Sequence, residues 1–382
     1  MRFAVDAHAI GCHLTGNEVY IRNLLHEFAR LDHENNFVAY VTRPEAPALI
    51  PDRIAKNWVS PNPYKRLGFD LSRRVAEDQA DLLHVQYTAP LACKIPVVVS
   101  VHDVSYLECP QYFTWFRAAQ LRLTVKQTLA RAARVLTPSE FSRRAILKHY
   151  NLPEDRVVAI HNAVSSRFRP VEREAAQAFV KNKFNIPGPF VLTVGDLQPR
   201  KNHKGLLKAF EELIRAHPQL PHHLVFVGKE TWYSAEVHRD VKASPIADRV
   251  HFAGFVDDED IVYFYGASDL LVFPSFYEGF GLPILEGMAC ARAVACSNTT
   301  AMPEVANAAG ILFDPTSTEQ MTRALADVLL DSELRQRLER LGAARAGGFS
   351  WENAAQRTLN VYYDVVGGRP QRKAAAKRAR VS

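Results

Sequence analysis

The feature that most constrains the fold of this chain is a repeated alternation between short apolar runs and longer helical patterns. In the first half, β-branched and aliphatic runs predict buried strands at 3–5, 37–41, 82–85, 96–101, 134–137 and 157–160. Helical patterns separate these runs at about 17–31, 70–79, 111–133 and 139–149. Strands that alternate with helices form parallel sheets with helices on both faces. The first half is therefore predicted to be a doubly wound α/β domain.

The second half repeats the alternation. Its predicted strands lie at 189–195, 223–228, 250–254, 270–273, 293–296 and 311–313, and its last predicted helices at 317–330, 332–345 and 351–366. A chain of 382 residues is long for one hydrophobic core and suits two domains. Two such domains leave a cleft at the carboxyl ends of their strands, where doubly wound sheets bind ligands. The predicted fold class is α/β, with two Rossmann-like parallel-sheet domains facing across a cleft.

The composition is that of a soluble globular protein, with 47% apolar and 23% charged residues. No window approaches the ~20 apolar residues that a membrane-spanning helix needs. Residues 1–6 enter a strand pattern without a preceding secretory segment, so a cytoplasmic location is expected. The five cysteines are scattered without metal-binding spacing, and no metal site is predicted.

Charge is distributed unevenly along the chain. The net charge is +6 over residues 1–170, −6 over 171–368 and +6 over 369–382. A basic first half and tail favour an acidic partner, such as anionic lipid, lipid-linked phosphate or nucleic acid, although a solvated surface has the same composition. The tail at 369–382 has neither an apolar face nor a carboxylate, and it is predicted to be disordered.

Residues 273–287 join a predicted strand to a helix through two glycines. Gly279 and Gly281 let the main chain approach a ligand closely, and Pro283 suits a first helical turn. A helix that begins near Leu282 offers unpaired N–H groups with positive partial charge to an anion. The stretch is therefore predicted to bind a phosphate group.

Two carboxylates lie eight positions apart across this turn. Glu278 precedes the glycines, and Glu286 lies about one turn into the helix, with its side chain directed back towards the bound anion. A diphosphate flanked by two carboxylates that accept hydrogen bonds from hydroxyl groups describes a nucleotide sugar. The alternative is structural, with Glu278 capping a turn and Glu286 on a solvated helix face.

Glu278 and Glu286 match the Glu-x7-Glu signature of glycosyltransferase family 4, and the chain resembles these retaining enzymes of the two-domain GT-B fold. The resemblance extends to about residue 366 and is strongest across 190–315. It implies hexosyl transfer from a nucleoside diphosphate sugar without a metal. It also implies three structural units: an N-terminal acceptor-side domain at 1–165, a C-terminal nucleotide-sugar donor domain at 172–350, and a helix at 351–366 that returns to the first domain.

A second motif, at 195–202, follows the first strand of the second domain. Arg200 and Lys201 are adjacent cations in a strand-to-helix loop, where they can neutralise a diphosphate leaving group. The motif is similar to the family's Gly-x-Leu-x-Pro-Arg-Lys-Asn form. Asp196 stands where many members carry an arginine, which leaves open whether Arg200 takes over that phosphate contact or Asp196 meets a substrate hydroxyl. Without the family context, an Arg-Lys pair is ordinary solvated surface.

In the first domain, His102 ends the most hydrophobic strand and is expected at the mouth of the cleft. A neutral imidazole there donates one hydrogen bond and accepts another. The family carries a His-Asp pair at the matching place, so the resemblance implies that His102 positions the donor sugar. Gly16, in the loop after the first strand, is the one position of the family's glycine pair that transfers. It either approaches the donor phosphate or belongs to a helix cap.

The predicted site therefore has residues from both domains. The catalytic set is His102, Arg200, Lys201 and Glu278, and the donor-binding set is Gly16, Gly279, Phe280, Gly281, Leu282 and Glu286. By resemblance, Glu278 holds donor-sugar hydroxyls and Glu286 holds the ribose. No cofactor is expected beyond a GDP- or UDP-sugar donor, with GDP-mannose preferred. The expected acceptor is a glycan or a lipid-linked hydroxyl, and no nucleic acid partner is expected.

The sequence is also compatible with two other functions. A GT-B-fold nucleotide-sugar epimerase has the same fold, and a non-catalytic nucleotide-sugar-binding module needs only the donor-binding part of the site. An NAD enzyme is disfavoured because no Gly-x-Gly-x-x-Gly follows the first strand. The helix that starts at 111–117 carries aromatic and basic residues, so it either makes peripheral contact with an anionic membrane or packs on its sheet.

Overall fold

The computed structural model describes residues 1–12 and 15–367, except for the side chain of Thr15. The predicted basic tail at 369–382 lies outside the described residues. The strands are Arg2–Asp6 (β1), Asn36–Val41 (β2), Ala55–Trp58 (β3), Leu82–Gln86 (β4), Val97–Ser100 (β5), Arg134–Thr137 (β6), Val157–Ala159 (β7), Phe190–Val194 (β8), His223–Val227 (β9), Val250–Gly254 (β10), Leu270–Phe273 (β11), Ala293–Ser297 (β12) and Ile311–Phe313 (β13).

Helices occupy most of the connections between strands. They are Thr15–Leu31 (α1), Pro63–Lys65 (α2), Leu71–Glu77 (α3), Ser105–Glu108 (α4), Trp115–Arg131 (α5), Glu140–Tyr150 (α6), Arg173–Phe184 (α7), His203–Ala216 (α8), Ser234–Ala243 (α9), Ile261–Ala267 (α10), Leu282–Ala289 (α11), Met302–Ala306 (α12), Thr318–Leu330 (α13), Ser332–Ala346 (α14) and Trp351–Val366 (α15). Ser139, Ser317 and Ser350 start α6, α13 and α15, and each hydroxyl oxygen accepts the N–H three residues further on.

The strands form two parallel sheets. The first has the order β3-β2-β1-β4-β5-β6-β7 and the second has the order β10-β9-β8-β11-β12-β13. Every neighbouring pair is parallel. The strand order reverses between β1 and β4 and again between β8 and β11, and a crevice opens at the carboxyl end of such a switch point. The predicted fold class of two doubly wound α/β domains is confirmed.

Each sheet is buried on both faces, because successive residues of a strand point into different hydrophobic clusters. In β5, Val98 packs in one cluster while Val97 and Val99 pack in the other. In β12, Val294 and Ala293 divide in the same way. This double burial explains why the strands are near-continuous apolar runs and not alternating ones.

The last helix, α15, packs on the first domain. Leu359 and Tyr362 lie in the same buried cluster as Phe3 and Phe28 of that domain. The rings of Tyr362 and Phe3 have centroids 5.2 Å apart. Each fully buried side chain of this size contributes about 1.5–3 kcal/mol. Helix α15, near the end of the described residues, therefore stabilises the first domain. No helix of the described part is both long and apolar enough to cross a bilayer.

The structure differs from the predicted elements in several places, including two before β4. The helix predicted at 70–79 is α3, and a π-helical turn at Arg66–Asp70 precedes it. The sequence does not predict β3 at all, because Lys56 and Asn57 interrupt any apolar pattern. β3 pairs only with β2 at the edge of the sheet. An edge strand has a single neighbour, so polar side chains are tolerated there.

Candidate active site

A cleft of about 400 Å³ lies between the carboxyl ends of the two sheets. It is lined by side chains that follow β4 and β5 of the first domain and β8, β9, β10 and β11 of the second. All of the predicted site residues line it, and they are Gly16, His102, Arg200, Lys201, Glu278, Gly279, Phe280, Gly281, Leu282 and Glu286. The structure therefore brings both predicted sets into one cavity.

The turn between β11 and α11 is shaped by its glycines. Gly281 precedes α11 with a φ of 109°, which a residue with a side chain rarely adopts. Gly279 passes so close to the first domain that an added Cβ would lie 2.1 Å from the carbonyl oxygen of His102 and 2.8 Å from the Cβ of Asp103. Only glycine fits there, so the turn can lie directly against the strand end that carries His102.

Two cations and one carboxylate form the centre of the site. Glu278 Oε1 accepts from Lys201 Nζ at 2.7 Å and lies 2.8 Å from Arg200 Nη1. Arg200 also donates to the carbonyl oxygen of Tyr277. A 3₁₀ turn at Pro199–Lys201, in the connection between β8 and α8, places both cations. The cluster carries one net positive charge in a buried setting.

Electrostatics keep this cluster charged. Burial alone would raise the pKa of Glu278, but Arg200 and Lys201 outweigh it and lower the pKa to about 2. Burial lowers the pKa of Lys201, although Glu278 opposes that change. The pKa of Arg200 is raised, because the attraction of Glu278 and Asp103 exceeds the effect of burial. Glu278 is thus ionised at neutral pH.

His102 faces this cluster from the first domain. Its Nε2 lies 2.9 Å from Gln86 Oε1, so Nε2 donates and Nδ1 is the acceptor nitrogen. The edge of the ring packs on Tyr20, with centroids 4.7 Å apart. Burial lowers the pKa of His102 to about 4, so the imidazole is neutral at neutral pH. A neutral, fixed ring suits positioning of a substrate.

Tyr20 is itself held by a buried chain of hydrogen bonds. Its hydroxyl lies 2.8 Å from Ser100 Oγ, which lies 2.7 Å from His84 Nε2. His84 Nδ1 in turn lies 2.5 Å from the hydroxyl of Tyr362 on α15. His84 is therefore occupied within the first domain and does not line the cleft.

Glu286 lies on α11 and also lines the cleft. Its Oε2 accepts a hydrogen bond from the hydroxyl of Tyr265 at 2.5 Å. Burial raises the pKa of Glu286 to about 7, because the Tyr265 hydrogen bond offsets only part of the desolvation. The carboxyl group therefore titrates near neutral pH, in contrast to Glu278.

Gly16 of the first domain and Asp196 of the second also line the cleft. Gly16 lies in the first turn of α1 and not in a loop, and no described atom lies within 4 Å of an added Cβ. Asp196 Oδ1 accepts from the backbone N–H of Lys229 at 3.2 Å, so this carboxylate braces the loop after β9. Arg200 is engaged by Glu278 and Tyr277.

Sequence reasoning missed several residues that line the cleft. Tyr87 follows β4 with a φ of 59°. Gly228, Phe255 and Asp258 follow β9 and β10. Their only signal in the sequence is that each lies at the end of a predicted strand or shortly after it, at the edge where ligands bind in such sheets.

Across residues 1–12 and 15–367, no three His, Cys, Asp or Glu side chains are grouped in a way that could hold a metal ion.

Known protein families match both of the domains that line the cleft. The family model described as Glycosyl transferases group 1 matches residues 175–345, and that described as Glycosyltransferase Family 4 matches residues 14–168. O-antigen chain mannosyltransferase B of Escherichia coli is 36% identical over 267 residues, which are 69% of each chain. Serotype-specific mannosyltransferase WbdA of Escherichia coli is 30% identical over 228 residues, 59% of this chain but only 28% of WbdA.

Solved structures share the fold at low identity. Anabaena HepE in complex with UDP-glucose superimposes with a TM-score of 0.75 at 18% identity, over 95% of this chain and 99% of HepE. Sucrose-phosphate synthase of Thermosynechococcus elongatus gives a TM-score of 0.77 at 20% identity, over 96% and 99% of the two chains. These likenesses establish the two-domain arrangement.

Proposed function

The chain belongs to glycosyltransferase family 4, and we propose that within this family it is a retaining mannosyltransferase that uses GDP-mannose. The proposed acceptor is a hydroxyl group of a glycan or of a lipid-linked sugar. One observation carries the proposal: Arg200, Lys201 and Glu278 of the second domain meet His102 of the first around a single cleft. A donor bound there would contact both domains.

In the proposed reaction, the two cations stabilise the leaving group. When the bond to the sugar breaks, negative charge builds up on the departing diphosphate. Arg200 and Lys201 lie beside the glycine turn that starts α11, so their charges and the first N–H groups of that helix act on the same anion. We assign the stabilisation of the diphosphate to these groups, without a metal or a cofactor.

The proposed reaction is a same-face displacement. The bond from the anomeric carbon to the β-phosphate oxygen breaks, and a bond from that carbon to the acceptor oxygen forms on the same face. The acceptor proton passes to the leaving phosphate oxygen. Glu278 is held by two cations. Asp103 Oδ1 accepts from the backbone N–H of Ser105 at 2.9 Å and from its hydroxyl at 2.6 Å. These contacts disfavour either carboxylate as a covalent nucleophile.

The remaining roles follow from position. His102 would hold the sugar through its acceptor nitrogen, Glu278 would accept donor-sugar hydroxyls, and Glu286 would accept the ribose hydroxyls. The choice of mannose rests on the two mannosyltransferase relatives. UDP-glucose is the competing donor to test, because HepE has been solved in complex with it. Transferase relatives favour transfer over an epimerase or a non-catalytic binding module.

A donor screen tests the proposal. GDP-mannose is expected to raise the melting temperature more than UDP-glucose does, and to release GDP when a mannosylated glycan acceptor is added, with or without a chelator. An epimer formed from the nucleotide sugar alone would identify an epimerase. Stabilisation by the donor without turnover on any acceptor would point to a binding module. Failure of every nucleotide sugar to stabilise the protein or to be consumed would overturn the proposal.

Nucleotide affinity should depend on pH through Glu286. Its pKa of about 7 means that the carboxyl is mostly protonated below neutral pH, and only the ionised form accepts from both ribose hydroxyls. We therefore expect GDP to bind about tenfold more tightly at pH 8 than at pH 6. Isothermal titration at a series of pH values measures this. The phosphate of GDP titrates in the same range, so Glu286→Gln is the reference, and an equal pH slope in both proteins would contradict the assignment.

A membrane contact is part of the proposed setting, because an acceptor linked to lipid lies at a bilayer surface. Helix α5 has four basic residues and no acidic one, and its Trp115 and Phe116 are 82% and 58% exposed. Leu91, on a neighbouring segment, is 62% exposed, and its carbonyl oxygen accepts from Arg131 of α5 at 2.7 Å. Exposed aromatic side chains among cations fit an anionic bilayer.

Vesicle binding tests this contact. Trp115→Ala should weaken binding to vesicles that contain anionic lipid by about tenfold, the size expected for withdrawing one aromatic side chain from an apolar phase. Trp232, which is 70% exposed on the second domain, provides the matched control as Trp232→Ala. Equal effects of the two substitutions, or binding that is insensitive to anionic lipid, would rule out α5 as the contact.

A further inference from the structure

Glu304 of the second domain contacts the first domain directly. Its Oε1 accepts from the backbone N–H of Glu140 at 2.8 Å, and its Oε2 accepts from that of Phe141 at 3.1 Å. These are the first two residues of α6. Oε1 also lies 2.7 Å from His161 Nε2. A carboxylate from one domain thus caps a helix of the other, where the helix carries positive partial charge.

Glu304 is fixed on its own side as well. Arg345 of α14 donates to the carbonyl oxygen of Glu304 at 2.7 Å and to that of Val305 at 3.0 Å. These bonds hold the short helix α12 against α14, so the carboxylate is presented from a rigid support. The side chain of Glu304 is 22% exposed, so its three contacts are partly shielded from solvent.

The same end of α6 holds the glycine turn of the active site. Ser139 Oγ donates to the carbonyl oxygen of Gly279 at 2.7 Å. Ser142 Oγ lies 3.2 Å from that oxygen and 3.2 Å from the carbonyl oxygen of His102. The start of α6 therefore joins Glu304, the donor turn and the strand end that carries His102.

Another charged contact between the domains is weaker. Asp258 pairs with Arg22 of α1 at 2.7 Å, but the Asp258 side chain is 52% exposed. Exposed pairs of this kind are screened by solvent and stabilise little. Charge-assisted bonds from two helix amides to a partly buried carboxylate are stronger. Glu304 is therefore the contact whose loss should matter more.

We propose that Glu304 is a latch between the domains, which holds α6 and with it His102 against the donor turn at Gly279. Without the latch, the cleft opens and His102 moves away from the cluster of Arg200, Lys201 and Glu278. Glu304 acts through α6 and is a positioning residue. The contact between Glu304 and α6 does not depend on the proposed function. Only the expected effect on sugar transfer rests on that function.

The test of the latch needs no substrate. In Glu304→Ala, the amides of Glu140 and Phe141 should exchange hydrogen about tenfold faster, the size expected for loss of a carboxylate cap, and small-angle scattering should give a larger radius of gyration. Asp331→Ala is the matched control, because Asp331 accepts from Glu333 and Leu334 at the start of α14 within one domain. It should speed exchange there and leave the radius of gyration unchanged.

Kinetics separate the latch from the transfer reaction. Glu304→Ala should lower kcat about tenfold and leave GDP affinity within about twofold, because Glu286 and the cations that hold the diphosphate belong to the second domain. Glu304→Gln keeps one acceptor oxygen and should fall between wild type and Glu304→Ala, which also covers the case in which the alanine variant does not fold. Unchanged exchange at Glu140 and Phe141, or an unchanged radius of gyration, overturns the latch. A wild-type protein that transfers no sugar overturns the proposed function, and the exchange and scattering results still decide the latch.

Discussion

Replacing Lys201 by alanine is expected to lower kcat for sugar transfer about 10²–10³-fold. Lys201 Nζ lies 2.7 Å from Glu278 and lines the cleft beside the turn that starts α11. In our account its charge stabilises the diphosphate only as the glycosidic bond breaks, so its removal affects kcat more than donor binding. Steady-state kinetics with GDP-mannose measure the effect.

The Lys201 variant should stay folded, because Glu278 keeps Arg200 as a partner at 2.8 Å. Lys208→Ala is the control, since Lys208 is an exposed lysine on the adjoining helix α8. Its kcat should equal that of wild type. If Lys201→Ala retains full activity with an unchanged melting temperature, the cation pair does not stabilise the leaving group.

Gly279→Ala should lower kcat by about 10²-fold or more, for a steric reason. The added Cβ would lie 2.1 Å from the carbonyl oxygen of His102, so either the turn or the strand end must shift by roughly an ångström. A misplacement of that size between reacting groups is costly even when each domain remains intact. Activity and GDP affinity measured on the same preparation distinguish lost alignment from lost binding.

Gly347→Ala provides the control for Gly279→Ala. Gly347 is exposed, and an added Cβ would make only ordinary contacts of 3.5 Å or more. Its activity should be unchanged. A Gly279→Ala protein that transfers sugar at the wild-type rate would show that the close approach of the donor turn to His102 is not needed for catalysis.

Much of the fold follows from local patterns. Buried parallel strands are near-continuous apolar runs, so β5 and β12 are evident in the sequence, whereas β3 contains Lys56 and Asn57 and is recognisable only from its pairing with β2. The serine caps of α6, α13 and α15 also act within a few residues of the helices they start. Interactions of short range in the chain are those that a pattern can reveal.

The same distinction between local and long-range interactions applies to the candidate site. Glu278, Gly279 and Gly281 lie in one turn, and Arg200 and Lys201 lie in one loop, so their chemistry can be inferred from each motif. That Glu278 pairs with both cations depends on how β8 and β11 adjoin in the sheet. This pairing, and the roles that we propose from it, lie beyond any single motif.

Contacts between domains are the part that no local pattern reveals. Glu304 lies in a short Pro-Glu-Val segment, and its partners Glu140 and Phe141 are more than a hundred residues earlier in the chain. His161 has no recognisable motif, yet it shares the carboxylate of Glu304. Such pairs depend on the placement of two folded domains, which follows from surfaces and not from periodicity.

The retaining transfer that we propose is tested most directly by the anomeric configuration of the product, which proton NMR follows during turnover of GDP-mannose with a mannosylated glycan acceptor. We expect a new glycosidic bond with the same anomeric configuration as the donor, formed by wild type and about 10²–10³-fold more slowly by Lys201→Ala. A product of inverted configuration, or release of GDP without a new glycosidic bond, would contradict this proposal.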